Sequence, residues 1–79
     1  MNTTDNLRIR TTATAVTVEG PLEAGTSLVV YDLGGSALLR HAVSGNAQSA
    51  TLSIADLPHG AYLLQVATPN GQRTHKFVK

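Results

Sequence analysis

Apolar and polar positions alternate along most of this chain, and the strongest alternation runs from Ala61 to Val66. Tyr62, Leu64 and Val66 fall on one side and Ala61, Leu63 and Gln65 on the other, which is the period-two pattern of a strand with two unlike faces. The Tyr62 side is the expected core face. Leu57-Pro58-His59-Gly60 stands directly before this run. Pro58 fixes its own φ and pushes Leu57 toward extended geometry, while Gly60 permits a backbone angle that a Cβ resists, so the chain can turn sharply and enter the strand.

The remaining segments are arranged to pair with this one. Leu7-Arg8-Ile9-Arg10 predicts a short edge strand with Leu7 and Ile9 inward and both arginines in water. Ala13 to Val18 is β-branched and alternating, and Glu19-Gly20-Pro21 is expected to stop that ladder. Thr26 to Asp32 predicts a central strand, with Leu28 and Val30 on one face and Val29 and Tyr31 on the other, ended by Gly34-Gly35. Ala37 to Val43 lies between two glycine turns, which leave too little room for a stable helix, and is read as a strand. Gln48 to Ile54 places Ala50, Leu52 and Ile54 against Ser49, Thr51 and Ser53. Pro69-Asn70-Gly71 predicts a three-residue hairpin loop, with a type I turn and a left-handed Gly71, before a final strand from Gln72 to Lys79. Seven short strands separated by Gly, Pro and Asn predict an all-β fold, a small antiparallel immunoglobulin-like β-sandwich.

Seventy-nine residues suffice for one small core, so residues 7–79 are read as a single domain behind a disordered leader of residues 1–6. The absence of cysteine leaves hydrophobic packing and the strand ladders to hold it together. Six Lys and Arg against five Asp and Glu are spread along the chain, which is no nucleic-acid footprint. No apolar run approaches the roughly 20 residues of a membrane-spanning helix, and the first residues lack the basic and apolar regions of a signal peptide. The reading is therefore no nucleic acid and no membrane insertion.

Few residues suggest chemistry. His41, His59 and His75 are the only histidines, and no two of them stand at the spacing of a shared metal site. They read as surface residues, with no cofactor expected. Ser53, Asp56 and His59 cluster near one corner, but no nucleophile elbow accompanies them, and no enzymatic activity is expected. Tyr31 and Leu63, on outer faces, mark a modest apolar patch for a protein partner.

Three segments in this order carry a resemblance: Val30-Tyr31-Asp32-Leu33-Gly34-Gly35, then Leu52 through the corner to Val66, then His75-Lys76-Phe77-Val78-Lys79. Together they look like the C-terminal sorting domain (type A) of type IX secretion cargo of Bacteroidetes, whose pattern is a "vYDlxG" strand and turn, an "L-x-x-G-x-Y" corner and a basic-apolar closing strand. The resemblance covers roughly Leu7 to Lys79. The Pro-Asn-Pro segment that often opens such domains is absent, which suggests a chain starting inside the natural domain, and Ser36 stands where Arg is common.

The resemblance implies a secretion signal that directs its cargo across the outer membrane through the type IX machinery and is then removed by a sortase-like peptidase. It implies transit through the periplasm to secretion or the cell surface. By matching positions, recognition would fall on Gly60, Tyr62, Lys76, Phe77, Val78 and Lys79, with Lys76, Val78 and Lys79 the better placed for contact. The rival reading is a fibronectin-like accessory adhesion or glycan-binding module of a surface protein. Open sheet edges further predict a homodimer at high concentration, formed by edge pairing or by exchange of a terminal strand.

Overall fold

The computed structural model describes residues 7–69 and 71–79; the expected leader, residues 1–6, lies outside the described residues. Seven strands follow one another: β1 (Arg8–Thr11), β2 (Ala15–Leu22), β3 (Ser27–Tyr31), β4 (Ala37–Ala42), β5 (Ala47–Ser53), β6 (Ala61–Thr68) and β7 (Gly71–Val78). They form two antiparallel sheets, ordered β1-β2-β5 and β4-β3-β6-β7, as the alternation predicts. The fourth strand lies beside the third, whereas an immunoglobulin constant domain places its fourth strand in the first sheet.

The turn after β3 accounts for this placement. Asp32 N–H donates to Ser36 O (3.0 Å) and Gly35 N–H to Asp32 O (3.1 Å), while the Asp32 carboxylate accepts from Ser36 N–H (2.9 Å). Gly35 takes φ +92°, a conformation that favours glycine. So tight a turn returns the chain as an antiparallel neighbour, and β4 pairs with β3 from Ser27↔Ala42 to Tyr31↔Ala37 with one register shift.

The core lies between the sheets. Val16 and Val18 of β2, Leu28 and Val30 of β3, Ala50 and Leu52 of β5 and Tyr62, Leu64 and Val66 of β6 are all buried, each set spaced by two, so the pleat turns one face of every central strand inward. Phe77 joins them from β7, its ring 5.8 Å from that of Tyr62. Ile9 of β1 and Leu7 just before it pack against this core.

Two local expectations are corrected. Glu19-Gly20-Pro21 does not end β2: the strand continues to Leu22, and the pairing with β5 shifts register between Glu19 and Leu22. A bulge absorbs the residues that would otherwise break the ladder, with Gly20 at φ +127° and Pro21 at an irregularity that tolerates a missing donor. At the last hairpin the ladder reaches Thr68↔Gly71, so residues 69 and 70 alone separate the strands, one fewer than expected. The Thr68 hydroxyl donates to Gly71 O across that closing pair (3.0 Å), and Gly71 has a positive φ of +151°.

Candidate functional site

The corner and the tail, 20 residues apart, meet in space. Gly60 N–H donates to Lys79 O (3.3 Å) and Lys79 N–H donates to Gly60 O (2.8 Å), which extends the β6–β7 ladder by one pair beyond Ala61↔Val78. The corner is held on its inner side by Tyr62, whose hydroxyl donates to Pro58 O. This is the arrangement of a tyrosine corner, a hydroxyl near the start of the sixth strand reaching back to the backbone just upstream. Leu57 N–H closes the preceding turn on Ile54 O (3.0 Å). Gly60 has φ +159°, and a Cβ built there meets nothing within 4 Å, so glycine serves the backbone angle and not a close approach.

The carbonyls of that turn converge on one cation. Lys79 Nζ donates to Ile54 O (2.9 Å), to Ala55 O (3.1 Å) and to Leu57 O. Carbonyl oxygens left over at a tight turn need donors, and an ammonium group carries three. His59 Nδ1 lies 3.4 Å from Lys79 O and completes the closure. Lys79 is therefore half-buried and its ammonium engaged, because the stem is long enough to fold back over the corner.

The other predicted residues divide by the pleat of β7. Phe77 and Tyr62, directly paired, are buried. Lys76 is exposed and Val78 is 71% exposed. The register sets these two on the outer face of the four-stranded sheet, in rows Tyr31–Leu63–Lys76 and Ala61–Val78. Next to them runs Val29 with Arg40, Gln65 and Thr74. Tyr31 Oη donates to Gln65 Oε1 (3.3 Å), and Gln65 Nε2 donates to Gln72 Oε1 (3.3 Å). This polar chain fixes side chains around a half-buried apolar strip of Val29, Tyr31 and Leu63.

No Asp or Glu occurs in β3, β4, β6 or β7. Lys76 on one side and Arg40 on the other thus flank the apolar strip without carboxylates between them. Such a face suits a partner that is apolar at its centre and acidic at its rim. Reading the sequence placed Tyr31 and Leu63 outward but did not join them to Lys76, because only the strand register puts the three in one row. Apart from this face, a depression of about 330 Å³ opens beside the β4–β5 turn, lined by residues that include His41, Val43, Asn46 and Ser49. Among the described residues no group of three or more His, Asp or Glu could hold a metal ion.

Comparison with known proteins bears on the same segments. The profile of the family described as "Secretion system C-terminal sorting domain" matches residues 3–79. No curated protein matches the chain. Among solved structures, the chain is similar to a DUF3244 family protein with an immunoglobulin-like β-sandwich fold from Bacteroides vulgatus, at 20% identity and a TM-score of 0.81, covering 94% of this chain and 84% of that one. At that identity the likeness establishes the immunoglobulin-like sandwich. The profile spans the Tyr31-Asp32 turn, the Gly60–Tyr62 corner and the Lys76–Lys79 tail, and the chain accordingly belongs to the secretion system C-terminal sorting domain family, the sorting signals of type IX secretion.

Proposed function

We propose that the type IX machinery reads this domain through the exposed side chains of its last strand, Lys76 and Val78, together with the outer-face strip of Tyr31 and Leu63. Gly60, Tyr62, Phe77 and Lys79 then serve recognition indirectly, by holding that strand against the corner. The observation that carries this reading is the division within residues 76–79: Phe77 is buried and the Lys79 ammonium is occupied by turn carbonyls, which leaves Lys76 and Val78 as the side chains that the end of the tail offers to a receptor. An acidic receptor surface would meet Lys76 and Arg40 without opposition from this sheet.

In this reading the domain is an address and catalyses nothing. It accompanies its cargo through the periplasm and the outer membrane and is then cut away by a sortase-like peptidase, so it does not persist on the delivered protein. A fusion of this chain behind a fluorescent protein, expressed with an export signal in a type IX-competent bacterium, tests the proposal. Mass spectrometry of the surface-delivered reporter should find a C-terminus upstream of the sandwich. A delivered reporter that keeps residues 7–79 intact would overturn the removal step, and a reporter retained in the periplasm would overturn the address.

A further inference from the structure

Sheet edges offer unpaired backbone groups, and among the described residues this fold has four such edges: β1 and β5 in one sheet, β4 and β7 in the other. Three are guarded in the ways that edge strands usually are. β1 carries Arg8 and Arg10, the latter paired with Glu19 (2.8 Å). β4 carries Arg40 and His41 and a register shift near Ala37. β7 carries Arg73, His75 and Lys76. The fourth, β5, reads Ala47-Gln48-Ser49-Ala50-Thr51-Leu52-Ser53, without charge or proline.

The register of β5 shows which groups it presents. Ile54 N–H donates to Thr14 O, and the pairing with β2 runs without a shift from Ala15↔Ser53 to Glu19↔Ser49. In an antiparallel ladder hydrogen-bonded and non-hydrogen-bonded pairs alternate. Ile54, Leu52 and Ala50 therefore bond toward β2, while the N–H and C=O groups of Ser53, Thr51 and Ser49 point to the open edge. The 3.1 Å contact between the Thr17 and Thr51 hydroxyls fits this assignment, since side chains approach most closely in non-hydrogen-bonded pairs.

These outward groups are symmetric about Thr51. A second β5 laid antiparallel with Thr51 opposite Thr51 sets Ser49 opposite Ser53 on both sides, so every outward donor faces an outward acceptor. The side chains at these positions are exposed, small and uncharged, and Thr–Thr and Ser–Ser neighbours are favourable cross-strand pairs. We infer that the β5 edge is a self-association surface, on which two copies of this chain pair antiparallel about a two-fold axis at Thr51 and join their three-stranded sheets into one. The outer face bearing Lys76 belongs to the other sheet and takes no part, so this inference is independent of the reading of the tail.

Sedimentation of the purified chain across a concentration series should show the mass rising from that of one copy toward that of two. Thr51→Pro removes an N–H that faces solvent in a single copy, a position where an edge strand tolerates proline; the same change removes the central ladder bonds of the pair and should abolish association. Thr51→Lys, which sets two ammonium groups opposite each other, should weaken it several-fold with an unchanged melting temperature in dilute solution.

The register has its own test in a chain that lacks cysteine. Directly opposed hydrogen-bonded residues stand about 5.5 Å apart at Cα, within disulfide reach. Thr51→Cys should therefore cross-link to itself under mild oxidation, and Ser49→Cys should cross-link more readily to Ser53→Cys than to itself. A single-copy mass at all concentrations would overturn the inference. So would a dimer indifferent to both Thr51→Pro and Thr51→Lys, which would place the contact elsewhere.

Discussion

Replacing Lys79 with Met removes the ammonium group and keeps the aliphatic stem and the backbone pair with Gly60. The charge is held by the carbonyls of Ile54, Ala55 and Leu57. Hydrogen bonds that involve a charged group contribute about 1.5–3 kcal/mol net, and because this site is half exposed, water can replace part of what is lost. Ile54 O also keeps its bond from Leu57 N–H, so the three contacts do not sum. The expected cost of Lys79→Met is about 1–3 kcal/mol. In a domain of this size each kcal/mol moves the melting temperature by about 4–8 °C, which predicts a fall of roughly 4–24 °C. Lys76→Met is the control, because an exposed side chain away from such contacts changes stability by less than about 0.5 kcal/mol. Thermal melts followed by circular dichroism, with urea titrations to convert midpoints to free energies, read both variants. If Lys79→Met melts with the parent, the clamp contributes nothing, and the charge is available to a receptor after all.

The corner and core make further predictions for the same assay. Tyr62→Phe removes only the bond to Pro58 O and should cost about 0.5–1.5 kcal/mol, whereas Tyr62→Ala also empties a buried ring site and should cost about 3–5 kcal/mol; equal effects would mean that ring packing contributes nothing. Thr26, 1% exposed, has a buried hydroxyl with no hydrogen-bond partner among the described residues, so Thr26→Val should raise stability by about 1 kcal/mol. Destabilisation by Thr26→Val would show that the hydroxyl has a partner.

The regular parts of this fold were legible because one face of each central strand is buried and period two is strict: Leu28/Val30, Leu52/Ile54 and Tyr62/Leu64/Val66 were all placed from alternation. Alternation misled where a ladder absorbs an irregularity. Gly20-Pro21 looks like a terminator, yet β2 resumes its pairing with β5 beyond the bulge, at Leu22↔Ala47. It was silent about Lys79, because the reach of a long side chain to a turn 22–25 residues upstream has no period. The candidate surface was half legible for the same reason. Each outward residue followed from its own strand, but the row Tyr31–Leu63–Lys76 depends on register, which turns and bulges set.

The most direct test of the account is delivery of a reporter fused to this domain when the outer face of its tail is altered and its fold is not. The double change Lys76→Glu with Val78→Asp substitutes two exposed positions, so the purified domain should melt within a few degrees of the parent. In cells of a type IX-competent bacterium the same variant should leave the reporter in the periplasm, while the parent domain carries it to the surface. Surface delivery at the parent level by a variant that is folded would contradict the assignment of recognition to this face.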